Sequence, residues 1–223
     1  MFAVIFEVQP KRERRDDYLK LAQFLKPKLQ VIDGFIDVER FASRATEGRI
    51  LSLSIWRDEK SVIRWRTQGE HHAVQAKGRS EIFDDYHLRV GEVTDDSAQD
   101  GILPQQRFDA TETGAAKIVA ITEFRTEAPV QDAGTALGLV PGAAGLLFQE
   151  TYESLTTPGK WVLVTSWKDE AAAAAWRPHT SLPGDLRHRC VRIIRDYGLR
   201  DRAEAPQFFA EGGDGSREGK SPV

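Results

Sequence analysis

The strongest constraint on this chain is a recurrence. Gly48, Arg49, Trp56, Asp58, Glu59, Trp65 and Arg66 return as Gly159, Lys160, Trp167, Asp169, Glu170, Trp176 and Arg177, each 111 residues later. Equal offsets across a hairpin and the start of a helix mark an internal duplication. The 223 residues therefore read as two copies of a unit of about 100 residues. The copies differ at one telling place. His71 and His72 stand opposite Leu182 and Pro183.

The first unit, residues 1–95, alternates strand and helix patterns. Phe2 to Val8 is apolar and β-branched, with Glu7 inside it, and Pro10 ends it. From Arg12 to Ile32, Tyr18, Leu21, Ala22, Leu25, Leu29 and Ile32 fall on one helical face. Pro27 predicts a kink or restart there, because it removes a backbone donor. Phe35 to Phe41 and Arg49 to Trp56 alternate as paired strands. The second strand carries Leu51, Leu53 and Ile55 on one face and Ser52, Ser54 and Trp56 on the other. Asp58 opens a helix that Gly69 weakens and that resumes from Glu70 to Ala76. Phe83 to Val93 is a fourth strand, with Tyr86, Leu88 and Val90 on one face and His87, Arg89 and Gly91 on the other. The order β-α-β-β-α-β is ferredoxin-like and leaves one sheet face bare.

The second unit, residues 117–202, keeps the strand patterns and wears down the helices. Pro129, Gly134 and Gly138 interrupt the first, and Pro178 and Pro183 end the second. Residues 96–116 read as a polar linker, which Ile102, Leu103 and Phe108 tack to a surface. Residues 203–223 are polar and Gly-rich and read as a disordered tail. The predicted fold class is α+β, with two tandem ferredoxin-like units whose bare antiparallel sheets close on each other as an α+β barrel.

Charge narrows the partners. The formal net charge is −3, and neither half has the basic excess of a phosphate-backbone binder, so nucleic acid is not expected. The apolar run at the N-terminus is too short to span a bilayer and precedes the basic run, the reverse of a signal peptide. No membrane partner is expected, and a cytoplasmic location fits. Cys190 is the only cysteine. It excludes an internal disulfide and cysteine-based zinc sites, and its strand-like flanks predict a buried structural thiol.

Few residues offer chemistry. There is no phosphate loop, hydrolase elbow or telling carboxylate pair. In this fold a ligand cavity lies between the sheet and its helices, which brings Trp65, His71, His72 and Gln75 forward. A histidine here could bind a metal or haem, or move a proton. The plain alternative is two surface histidines, of which at most one faces a cavity. Trp65 is read as core packing or as a cavity wall. Arg89 could meet a carboxylate ligand or be a surface charge. Glu39, Asp84 and Asp85 are read as solvated surface.

Several stretches together resemble the antibiotic biosynthesis monooxygenase family. They are the opening FAVIFEV, the strand GFIDVERF, the segment LSLSIWRDE, Trp65-Arg66, Glu70 to Arg79, and Asp85-Tyr86-His87-Leu88-Arg89-Val90. The resemblance covers residues 1–95 well and 115–200 weakly. It implies a dimeric α+β barrel and either of two oxygenase chemistries. Haem-degrading members use a tryptophan on this helix, a haem-ligating histidine ten residues on and an asparagine on the first strand. Here Trp65 matches, but Gln75 stands ten residues on, and Phe6 and Glu7 stand on the strand. Cofactor-independent members oxidise a phenolate-like substrate among aromatic and polar side chains, roles that Trp65, His72 and Arg89 could fill.

The sequence therefore yields three functional expectations. The first is monooxygenation of a small aromatic or quinone-like compound without a metal cofactor. The second is haem binding and cleavage through His71 or His72. The third is a non-catalytic ligand-binding or stress-related barrel, which a cavity under roughly 100 Å³ would favour. The units are expected to pair as a pseudo-dimer within the chain, or with a second chain as a homodimer.

Overall fold

The computed structural model describes residues 1–100, 103–128, 130, 132–179 and 185–206. The first unit contributes β1 (Phe2–Pro10), α1 (Arg15–Gln30), β2 (Phe35–Ser43), β3 (Ile50–Trp56), α2 (Glu59–Thr67), α3 (Gly69–Lys77) and β4 (Phe83–Asp96). The second contributes β5 (Ile118–Arg125), α4 (Ala133–Ala136), β6 (Leu146–Ser154), β7 (Lys160–Trp167), α5 (Glu170–Ala174) and β8 (Leu186–Gly198).

The eight strands form one closed antiparallel barrel in the order β1-β3-β2-β6-β7-β5-β8-β4. Each unit supplies four consecutive strands in ferredoxin-like order. Two seams join them, β2 to β6 and β4 to β8. The bare sheet faces that the sequence left unpartnered cover each other. Ala3, Ile5, Leu51 and Leu53 from the first unit meet Val119, Ile121, Val164 and Ile193 from the second inside the barrel. Closure also removes free sheet edges.

The duplication is visible in hydrogen bonds. Gly34 and Gly145 both have positive φ, +85° and +80°. Their carbonyls accept from Arg57 N and Lys168 N, each at 2.8 Å. A side chain at Gly34 would run into the Ser61 hydroxyl at 2.0 Å, so the turn requires glycine. The Trp56 indole donates to Ser54 Oγ at 2.9 Å, and the Trp167 indole donates to Thr165 Oγ1 at 2.8 Å. Asp58 and Asp169 each cap a helix, accepting from Ser61 N and Ala172 N.

The β2–β6 seam is an exchange between equivalent residues. Arg49 pairs with Glu150 at 3.2 Å, and Lys160 pairs with Glu39. Ser43 donates to Glu150 as Ser154 donates to Glu39, the latter at 2.6 Å. Every partner is 111 residues from its counterpart, the arrangement of a two-fold interface. Glu39 is thus not the solvated surface residue expected. It is mostly buried at a seam that only the second unit completes.

Other expectations change too. α1 runs through Pro27 without a break, held by Leu25 and Leu29, which are buried on either side of it. The helix after β3 does break, but at Gln68 rather than Gly69. Gln68 is extended (φ −63°, ψ 127°), and its side chain caps α3 by accepting from His71 N at 2.7 Å. In the linker, Leu103 packs on the barrel core, Phe108 is 85% exposed, and Ile102 lies outside the described residues. The start of the expected tail is anchored. Glu204 accepts from Thr111 Oγ1 and from the backbone of Glu112, Thr113 and Asp196 at 2.6–3.1 Å. The rest of the tail, with Pro129, Leu182 and Pro183, lies outside the described residues. No helix among the described residues is long and apolar enough to cross a membrane.

Candidate functional site

A cavity of about 640 Å³ lies between the outer face of the first unit's sheet and α1, α2 and α3. Strand alternation decides which side chains reach it. Val4 and Phe6 of β1, Ser52 and Ser54 of β3, and Leu88 and Val90 of β4 face out into it. α1 contributes Leu21, Ala22 and Leu25. The second unit closes one side with Arg195 and Tyr197 of β8 and with Arg202, Ala205 and Pro206 beyond it. Arg202 donates to the Tyr86 hydroxyl at 2.5 Å. An ion pair between Lys28 and Glu70 ties α1 to α3 across the site.

Trp65, His71, His72 and Gln75 all line this cavity. Both histidines do so, where helical geometry led us to expect one at most. The break at Gln68 turns the first residues of α3 back over the end of α2. The His71 ring consequently stacks on the Trp65 indole, with centroids 4.1 Å apart and planes 16° apart. His71 Nδ1 is 2.9 Å from the Trp65 carbonyl oxygen. A carbonyl only accepts, so Nδ1 carries the proton and donates it. Nε2 then holds the lone pair. Burial pushes the His71 pKa down to about 4, outweighing the raising effect of the carbonyl. The imidazole is neutral at neutral pH.

Arg89 does not line the cavity. It is 2% exposed inside the barrel, where its guanidinium donates to Ser166 Oγ at 2.7 Å and to Glu7. Tyr152 also donates to Glu7. The polar face of β4 turns into the barrel, and its apolar face lines the cavity. Arg189 and Glu123 repeat the Arg89–Glu7 pair in the second unit, which marks it as a recurring barrel element.

In the second unit a smaller cavity of about 250 Å³ lies beside α5, lined by Ile118, Ala173 and Cys190 among others. Trp176, the counterpart of Trp65, stacks on Trp167 at 6.0 Å and sets its edge against His188 at 5.5 Å. Phe124, Leu137, Leu139 and Ala173 fill the space around it. Cys190 is half-buried, and its thiol lies 3.5 Å from His188 Nε2. Burial pushes that thiol up to about 11, so it stays protonated and unreactive. No cluster of metal-ligating side chains occurs among the described residues.

The model of the antibiotic biosynthesis monooxygenase family matches residues 1–77. A jasmonate monooxygenase of Pyricularia oryzae is 42% identical over 218 residues, covering 94% of this chain and 98% of its own. The chain belongs to the antibiotic biosynthesis monooxygenase family. A Bacillus subtilis protein of uncharacterised function, YqjZ, is 33% identical over 92 residues, or 41% of this chain and 78% of that one. It is thus similar to a single unit. Among solved structures, an aldoxime dehydratase in complex with butyraldoxime superposes with a TM-score of 0.54 at 11% identity, covering 90% of this chain and 80% of that one. That likeness concerns the fold alone. In this family member, the family match falls on the unit whose sheet and helices form most of the cavity.

Proposed function

We propose that the protein inserts one oxygen atom of O2 into a small, largely apolar molecule held in the first unit's cavity, without a bound metal. The observation that carries this reading is the Trp65–His71 pair. It sets a neutral imidazole with its Nε2 lone pair into a cavity of about 640 Å³ with mixed apolar and cationic walls, within the usual range of ligand pockets. That volume is also far above the small cavity that would favour a non-catalytic barrel.

Each side chain has a role in this reading. The apolar walls strip water from the substrate, and His71 Nε2 takes a proton from an acidic C–H or O–H. Trp65 fixes the imidazole and walls the cavity. His72 is a second polar group at the same end. Arg89 is left out, since its guanidinium is spent inside the barrel. For an activated methylene the reaction balances without a reductant. The substrate loses two hydrogens and gains one oxygen atom, and the other oxygen leaves as water. The name of the 42% identical relative makes jasmonate the first compound to test. The small aromatic or quinone-like compounds implied by the family resemblance form the second class, with an anthrone as its probe. Oxygen uptake and product mass decide between them. If neither class is consumed, the reading fails.

Haem is the second reading, and His71 favours it. Metal-ligating histidines commonly donate their other N–H to a carbonyl, as His71 does to Trp65. Bound haem would supply a redox-active iron for oxygen activation. Haem titration tests this: a Soret band in the wild type that is lost in His71→Phe supports it. Absence of a band at micromolar haem removes it.

A further inference from the structure

We infer that Arg40, with Ser52 and Ser54 beside it, forms a subsite for the carboxylate of the substrate. The inference rests on the reading of the cavity as a substrate site and adds a chemical class: a monocarboxylic acid with an apolar body. Arg40 lies on β2 opposite Ser52 of β3, two residues along from the Val38–Ser54 pair and on the same face, and all three polar side chains line the cavity. The Ser54 hydroxyl already accepts from the Trp56 indole. Its own proton is therefore left to donate into the cavity.

Arg40 differs from several guanidiniums of the barrel wall. Arg49, Arg89, Arg189 and Arg192 are each paired with a carboxylate. The Arg40 backbone carbonyl accepts from Leu155 N at 2.9 Å, but its guanidinium forms no hydrogen bond or ion pair among the described residues, and its Nε is buried without a partner. An unpaired, partly desolvated cation is costly, and proteins keep one mainly where an anion completes it. A carboxylate matches the planar fork of a guanidinium with two parallel hydrogen bonds. The wider field has the same sign. Lys26, Arg66, Arg79 and Arg195 also line the cavity, while its one carboxylate, Glu59, is already held by Arg107 at 2.6 Å. Facing the floor, Leu21, Leu25 and Val62 offer apolar surface for the rest of the acid.

The test is equilibrium binding, read by quenching of cavity tryptophan fluorescence and kept separate from turnover. The probes are jasmonic acid and decanoic acid, each beside its methyl ester. The wild type should bind each acid more tightly than its ester. Arg40→Gln should weaken the acids on the order of 10- to 100-fold and leave the esters unchanged, and Arg40→Lys should restore part of the loss. Because the substitution removes an unpaired charge, the Tm of Arg40→Gln should be equal to or above that of the wild type. A purely structural arginine would instead lower Tm and weaken acid and ester alike. Esters binding as tightly as acids, or acid affinity unchanged in Arg40→Gln, overturns the subsite. Tight acid binding without oxygenation leaves the subsite standing and removes the monooxygenase reading.

Discussion

His71 lies flat against Trp65, 4.1 Å from ring to ring, while the same imidazole bonds the tryptophan's own backbone carbonyl. Stack and hydrogen bond together fix both the ring plane and the tautomer, so the lone pair on Nε2 has a defined direction. His71→Phe keeps a ring on Trp65 and removes the base. On the proposed role it should lower kcat at least about 100-fold and change KM little. Steady-state oxygen uptake checks this. An unchanged kcat would make the stack simple packing.

Arg89 should behave in the opposite way. Its guanidinium is the buried partner of Glu7, and Glu7 is also held by Tyr152 from the other unit. Arg89→Met strands a buried carboxylate, which typically costs about 3–5 kcal/mol. In a domain of this size that corresponds to a Tm lower by roughly 10 °C. The fraction that remains folded should still turn over substrate. Calorimetry beside activity per folded molecule separates the two effects.

Acid stability should carry a histidine signature. Burial lowers both His71 and His188 to about 4, below the ordinary value near 6.5. Between those values the unfolded chain binds protons that the native state refuses. Stability therefore falls as pH drops from 6.5 toward 4 and is fully present above 6.5. His188 is almost wholly buried and bonds Thr122 Oγ1 at 2.9 Å. His188→Gln preserves a polar partner and should flatten the fall in Tm across that window, relative to wild type. An identical slope would contradict the burial account.

Much of the architecture was legible because repetition is legible. Equal offsets from Gly48 to Arg66 gave two units, and strand alternation at Leu51 to Trp56 assigned the correct faces. The misplaced residues share one physical cause. Arg89 and Glu39 look solvated because charged residues usually are, yet closure of the barrel buries them against partners about 80 to 120 positions away in sequence. Nothing local announces such partners. Pro27 misled for a related reason, since packing on both sides of it outweighed a lost helical hydrogen bond. At the site, the sequence pointed to the half-helix after Trp65 but not to the extended Gln68, which turns both histidines inward. Arg40 carried no signal at all until its guanidinium's lack of a partner became visible.

The central claim is that oxygenation takes place in the cavity of the first unit. It is tested most directly by mass spectrometry of products formed under 18O2, with jasmonate and an anthrone as substrates, in wild type and in Ala22→Phe, which places a ring in the cavity from α1. The account predicts a wild-type product carrying one atom of 18O, and its loss from a folded Ala22→Phe. Labelled product formed equally well by the filled variant, or no labelled product from the wild type, would contradict it.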